Sequence, residues 1–177
     1  PGLGIDWRLF ENDQTSLHLK TAFGLGLKLP TLNDRYWEPG GNPNLQPEKS
    51  QNAEMGFQLK RTGTFSWSQR LTYYRMKVDD WIIWLPKGNL WTPENIREVH
   101  NQGLEYQGES SWTTGHLTWQ ANLAYTYSST RDLAQEGSQQ LPYSPKHQGN
   151  AGLLVKRDDF TFELSGFYVG SRSIASG

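Results

Sequence analysis

A chain of 177 residues with a formal net charge of −1 and no cysteine is long enough for one domain or for part of a larger one. The near-neutral balance gives no basic footprint for nucleic acid, and the missing cysteines exclude disulfides, thiolate metal sites and cysteine nucleophiles. Aromatic residues reach 13%, with eight Trp and eight Tyr, against a mean hydropathy of −0.73. That pairing suits sugar-binding β-sandwiches and membrane β-barrels alike, since half of every barrel strand faces a wet lumen.

Taken in order, the chain predicts eight strands and no helix. No apolar run approaches the ~20 residues of a transmembrane helix, and Pro1-Gly2-Leu3 does not read as a signal peptide. Ile5 to Phe10 is followed by the turn Glu11-Asn12-Asp13-Gln14 and a strand from Thr15 to Lys28. A loop of about twenty residues then runs from Leu29 to Ser50, far longer than a hairpin turn. Its Pro39, Pro43 and Pro47 deny it both ladder donors and helical continuation. The strand Gln51 to Lys60, a turn at Arg61-Thr62-Gly63 and the strand Thr64 to Asp80 come next. A second long connection is expected over Trp81 to Asn95, where Pro86, Gly88 and Pro93 interrupt the pattern. Ile96 to Trp112 passes through Thr113-Thr114-Gly115 into His116 to Ser128. A third long connection, Ser129 to His147, precedes Gln148 to Lys156, the turn Arg157-Asp158-Asp159, and Phe160 to Ser171.

Alternation of period two is the dominant signal. In the sixth strand Leu117, Trp119, Ala121, Leu123, Tyr125 and Tyr127 share one face, and His116, Thr118, Gln120, Asn122, Ala124, Thr126 and Ser128 the other. Such a run exceeds an ordinary strand and fits the ~9–11 residues of a tilted membrane strand with some overhang. Met55, Phe57 and Leu59 repeat the pattern against Glu54 and its neighbours. The apolar face is expected to meet lipid. Lys20, Glu54, Arg70, Glu105, Gln120, Asn122 and Glu163 are expected to line a lumen, because a Lys or Arg at the bilayer midplane costs ~2–4 kcal/mol. Arg75 and Lys77 break the rule by parity and need to project beyond the apolar band or sit at a bulge. Trp112 and Trp119 at one end, Tyr125 and Tyr127 at the other, are candidates for two aromatic girdles.

Short turns alternate with long connections, as an up-and-down barrel requires when all its short turns lie at one end. The fold class read from this is all-β, an antiparallel meander. At this point four segments resemble the barrel of TonB-dependent outer-membrane receptors. Leu29-Pro30-Thr31-Leu32-Asn33-Asp34-Arg35-Tyr36-Trp37 with Gly41-Asn42-Pro43-Asn44-Leu45-Gln46-Pro47-Glu48-Lys49-Ser50 resembles the family's "APTLNELY … GNPDLKPE(K/R)S". Tyr73 to Ile82, Pro93 to Glu105 and Leu141 to His147 resemble further segments in the same order. The stretch Trp84 to Asn95 is similar to loops of cobalamin-receptor-like members. The resemblance implies a barrel of the 22-stranded type. Residues 1–177 would form part of that barrel domain, about eight strands, with the plug domain and the final strands absent. It also implies a bacterial outer-membrane location, partnership with outer-membrane lipid, coupling to the TonB complex through the absent plug, and import of a scarce, bulky nutrient. Cobalamin comes first, a ferric siderophore or haem next.

Candidate chemistry is sparse. His18, His100, His116 and His147 are too scattered for a metal site, and Asp79-Asp80 lacks a complete coordination loop for calcium. No phosphate loop, nucleophile elbow or triad is present, so neither enzyme activity nor a cofactor is expected. Arg35, Tyr36, Trp37, Trp84, Trp91 and Tyr143 are the ligand candidates, since aromatic loops at a barrel mouth can cover a large molecule while Arg fixes its polar edge. The same rings would serve equally as interface residues. A rival reading is a soluble carbohydrate-binding β-sandwich with Trp84, Trp91 and Trp112 as platforms, which requires Leu117, Trp119 and Leu123 to face a closed core. A small barrel complete in itself is the third.

Overall fold

The computed structural model describes residues 1–132, 140–141 and 143–172. Residues 133–139 of the third connection and the terminal residues 173–177 lie outside them. Eight strands form one sheet in sequence order: β1 Gly2–Glu11, β2 Thr15–Lys28, β3 Glu48–Arg61, β4 Phe65–Lys87, β5 Leu90–Thr114, β6 Leu117–Asp132, β7 His147–Arg157 and β8 Phe160–Val169. Every neighbouring pair is antiparallel. The strands β1 and β8 stand at opposite ends and do not pair with each other among the described residues, so the sheet is an open arc and not a closed small barrel.

Four connections match the expected short turns. Asn12 shows why they form: its Oδ1 accepts the N–H groups of Gln14 (3.0 Å) and Thr15 (2.7 Å), replacing ladder bonds lost at the bend. Gly115 and Asp158 occupy the left-handed region in two others, with φ of 60° and 48°.

Two expectations need correction. The connection Trp81 to Asn95 is not a loop: β4 and β5 continue as a ladder to the pair Lys87↔Leu90, closed by Gly88 and Asn89. Gly88 sits at φ 60°, the conformation that a two-residue turn with Gly first requires. Pro86 and Pro93 are tolerated because this extension rises past its neighbours. Pairing with β3 ends at Asp79 and pairing with β6 at Val99, so each strand there has one side without a ladder. A short helix is also present, α1 Leu32–Tyr36, inside the first long loop. Five residues are too few to show a period.

The register sorts the side chains. The row Trp7–Leu19–Phe57–Leu71–Tyr106–Tyr125–Gly149–Tyr168 crosses the whole sheet on one face. Flanking it are Phe10–Leu17–Leu59–Gln69–Gly108–Leu123–Ala151–Gly166 and Ile5–Thr21–Met55–Tyr73–Leu104–Tyr127–His147. A bulge between Arg8 and Phe10 lets both Trp7 and Phe10 reach this outward face despite their odd spacing. No Asp, Glu, Lys or Arg occurs in these three rows. Its one amide side chain, Gln69, accepts the Tyr106 hydroxyl, and Gly108 leaves the room, since a Cβ there would come 2.7 Å from that oxygen.

The opposite, inner face carries Lys20, Glu54, Arg70, Glu105, Gln120, Asn122 and Glu163. No second sheet covers the outward face among the described residues, and Leu123 is 49% exposed there. The closed core that a β-sandwich needs for Leu117, Trp119 and Leu123 does not form. The dry core is small and lies at the long-loop end, where Leu45, Val78, Pro93, Val99 and Leu141 are buried.

Candidate ligand-binding site

The first long loop and the β4–β5 extension are fastened to each other. Locally, Thr31 starts α1 with a capping box: its hydroxyl accepts from the Asp34 N–H at 3.1 Å. The Asp34 carboxylate in turn accepts the Thr31 N–H at 2.8 Å and the Thr31 hydroxyl at 2.6 Å. The other Asp34 oxygen accepts the Trp84 indole N–H at 3.0 Å, fifty residues on. Trp37 packs edge-on to Trp84, with ring centroids 5.6 Å apart at 75°. Burial opposes ionisation of Asp34 more than any other single influence. The Thr31 and Trp84 donors and the positive Lys28 nevertheless outweigh it together and hold the carboxyl below its ordinary value.

Further contacts run along the same seam. Asn95 Nδ2 donates to the carbonyls of Asp80 (2.6 Å) and Gln46 (3.1 Å), while its Oδ1 accepts the Gln46 N–H at 2.9 Å. Asn42 Nδ2 donates to the Pro93 carbonyl at 3.2 Å. The buried Glu48 carboxylate accepts the Ile82 N–H at 3.1 Å and the Lys28 ammonium at 3.0 Å. At Gly40 the backbones approach so closely that a Cβ would lie 2.1 Å from the Trp91 carbonyl oxygen. Only glycine fits.

The six ligand candidates divide on this geometry. Arg35 is half-buried and donates to the Leu45 carbonyl at 3.2 Å, bracing the loop, although its Nε is buried without a partner. Trp84 has given its N–H to Asp34. Tyr36, Trp37 and Trp91 remain 63%, 45% and 45% exposed, beside exposed Leu32 and Leu90. They form an apolar rim on a braced support. Tyr143 is exposed too, at φ 62°, but belongs to the segment anchored to β6 by the Leu141 N–H on the Thr130 carbonyl. No described hydrogen bond joins it to the loop and hairpin.

Sequence reasoning missed the residues that do the bracing: Asp34, Asn42, Glu48 and Asn95. For Asp34 a signal existed, an acid three residues after Thr31 in capping-box spacing. Asn42 and Glu48 stand in the first of the family-like segments and Asn95 in the third, but nothing in the sequence names their partners across the seam, which lie 34 to 51 residues away. A concavity of about 1100 Å³ lies elsewhere: it is the inner curve of the sheet near the short turns, lined by Gln58, Arg70, Gln107, Gln120, Asn122 and Glu163. An open sheet makes such a hollow by curvature alone, so it is not by itself a binding site.

The outward face ends in aromatics both ways. Trp112 and Trp119 stack at 5.9 Å and 3°, with Phe65 beside them, on one side. Tyr125 and Tyr127 flank His147 on the other, and the Tyr125 hydroxyl meets His147 Nδ1 at 2.7 Å. Between Trp119 and Tyr127 lie about 26 Å of strand.

The profile described as TonB dependent receptor-like, beta-barrel, matches residues 1–177. The chain belongs to that family. Among curated relatives, the vitamin B12 transporter BtuB of Photobacterium profundum is 29% identical over 96% of this chain and 28% of its own length. That of Vibrio vulnificus is 31% identical over 87% of the chain and 24% of its own. Among solved structures, the copper transporter OprC superposes with a TM-score of 0.64 at 18% identity, covering 89% of the chain and 24% of OprC, a likeness of fold alone. The chain thus spans about a quarter of the length of the relatives it matches. The family is one of receptors for small-molecule nutrients, and these relatives are transporters.

Proposed function

We propose that this chain is a stretch of wall and mouth of an outer-membrane importer, and that the imported nutrient is a cobalamin. The observation that carries the membrane part is the outward face: three consecutive rows without a charge, holding Tyr125 and Tyr127 at one end and followed two rows beyond Leu123 by the Trp112–Trp119 stack, opposite a face of Lys, Arg, Glu, Gln and Asn. At a strand tilt of ~40° the 26 Å between the clusters gives about 20 Å of height before the rings are added, in keeping with a ~25 Å apolar band. Leu117, Trp119, Ala121, Leu123, Tyr125, Tyr127, Met55, Phe57 and Leu59 then meet lipid, and the inner set lines the lumen. Residues 1–177 are one stretch of barrel, and the plug and the TonB contacts belong to the rest of the receptor. The protein is a receptor and not an enzyme.

Support for cobalamin comes from the two vitamin B12 transporters among its relatives and from the rim itself. Exposed Tyr36, Trp37 and Trp91 offer flat apolar area to a large ligand, while Arg35, Trp84 and Asp34 hold them in place. Tyr143 would approach from the third connection. The test is equilibrium binding of cyanocobalamin, haemin and a ferric siderophore to the purified receptor that carries this segment, with Tyr36→Ala, Trp37→Ala and Trp91→Ala variants. Saturable cyanocobalamin binding, weakened in the variants, is expected. Binding of haemin or the ferric chelate instead would overturn the choice of nutrient. Cyanocobalamin binding untouched in all three variants would overturn the site.

A further inference from the structure

Just above the apolar band the outward face changes chemistry. After the row Thr21–Met55–Tyr73–Leu104–Tyr127 come Phe23–Ala53–Arg75–Gln102–Ser129, then Leu25–Gln51–Lys77–His100–Arg131, then Leu27–Lys49–Asp79–Glu98. Rows are ~6.7 Å apart and strands ~4.8 Å, so Lys49, Arg75, Lys77 and Arg131 fall in a patch about 15 Å on a side. The carboxylates in the patch are already engaged: Lys77 lies 3.3 Å from Asp79 and 3.0 Å from Glu98, and Glu98 also meets His100 at 2.7 Å. Lys49, Arg75 and Arg131 are exposed and form no ion pair among the described residues. Arg131 lies over the sheet, its Nε donating to Ser129 Oγ at 3.1 Å.

Three cations without a counter-ion among the described residues therefore stand directly above an aromatic girdle and an uncharged band. We propose that Lys49, Arg75 and Arg131 dock the phosphate headgroups of anionic lipid in the leaflet at the long-loop end. The inference rests on the reading that the outward face meets lipid. Below the patch the acyl chains have three uncharged rows to lie on. Level with it the headgroup phosphates meet side chains long enough to reach them, and Lys77, held by two carboxylates, fixes the spacing between the cations. The arrangement anchors the barrel's height in the membrane and gathers anionic lipid around the loop-and-hairpin unit.

The test uses the purified receptor carrying this segment, in detergent, titrated with tail-labelled phosphatidylglycerol and, as control, phosphatidylcholine. Each cation near a lipid surface accounts for roughly a fivefold change in affinity. Lys49→Gln, Arg75→Gln and Arg131→Gln together are expected to weaken phosphatidylglycerol binding at least tenfold and leave phosphatidylcholine binding unchanged. Removing Arg61, Lys156 and Arg157 at the other end of the strands should weaken neither. Wild-type phosphatidylglycerol binding should also weaken steeply between low and high salt, a readout that needs no variant to fold. Equal affinities in wild type and triple variant, salt-independent binding, or competition by inorganic phosphate as effective as by the lipid would overturn the proposal. A label at Leu123→Cys, in a segment with no cysteine of its own, separates the two levels. If lipid-borne quenchers do not reach it, the membrane reading itself fails; if they do and the triple variant binds normally, the headgroup site alone fails.

Discussion

Asp34 is the point at which the loop–hairpin unit can be taken apart most cleanly. Asp34→Ala removes the acceptor for the Thr31 N–H and hydroxyl, which belong to the α1 cap, and for the Trp84 indole, which belongs to β4. Loss of a helix cap costs ~1 kcal/mol, and a hydrogen bond to a charged acceptor contributes about 1.5–3 kcal/mol. Because Asp34 is only half-buried and the Trp37–Trp84 packing survives, the combined loss is set at roughly 2–3 kcal/mol of local opening, a factor of about 30 to 150. Hydrogen exchange on the full receptor reads this directly. The N–H groups of Arg35, Trp37 and Asn42 are held by carbonyls within the loop, and that of Ile82 by Glu48 across the seam. All four should exchange faster by that factor, while residues 53–60 and 119–127 in the sheet should not change. Trp84→Phe should reproduce the hairpin part of the effect, and the double variant should cost less than the sum of the singles. Strict additivity, or faster exchange in the loop with Ile82 unaffected, would show that the Asp34–Trp84 bond does not couple the two segments.

Acid should loosen the same seam. The Asp34 carboxyl titrates below its ordinary 3.8 in the folded state, so its contribution is complete above that value and is lost as pH falls below 3.8 through the folded one. Exchange of Ile82 should show no loosening from this group between about pH 5 and 8; loosening that begins near pH 6 would point to another group. Leu123→Arg, in one of the uncharged rows and midway between Trp119 and Tyr127, should destabilise the receptor in bilayers by ~2–4 kcal/mol, while Asn122→Arg on the inner face should cost far less. Equal costs in a urea titration would contradict the assignment of faces. Tyr106→Phe should cost about 1–2 kcal/mol by leaving Gln69 without its donor on the apolar face, and adding Gln69→Leu should recover most of it. A double variant less stable than Tyr106→Phe would show that the pair is not held together by that bond.

The sheet is legible because its strands each solve the same local problem. Thirteen residues from His116 to Ser128 alternate without a break, and an alternation that long fixes which side chains share a face whatever the neighbouring strands are. The excuse that Arg75 and Lys77 require comes from position: they stand above the uncharged rows, with Lys77 held between Asp79 and Glu98. The hairpin at 81–95 is hidden because its prolines read as breakers. Gly88-Asn89 between Leu85 and Leu90 is a hairpin signal, and proline breaks a strand only where its missing N–H would have served a neighbour.

What the sequence by itself determined is the all-β meander, its two faces, the end at which the short turns lie and, through four ordered segments, the family. These follow from period-two patterning and turn chemistry, which act over a few residues and so survive in a linear reading. Tertiary structure alone decided which side chains of the aromatic loop and hairpin are braced and which stay exposed. Arg35 and Trp84 looked equal to Tyr36 and Trp91 on paper, but Leu45, ten residues on, and Asp34, fifty residues back, each take a donor from them, while the other two are left to solvent. A donor's availability depends on what the folded chain brings within about 3 Å of it. For these residues that partner is set by the packing of a loop on a hairpin that shares no local pattern with it.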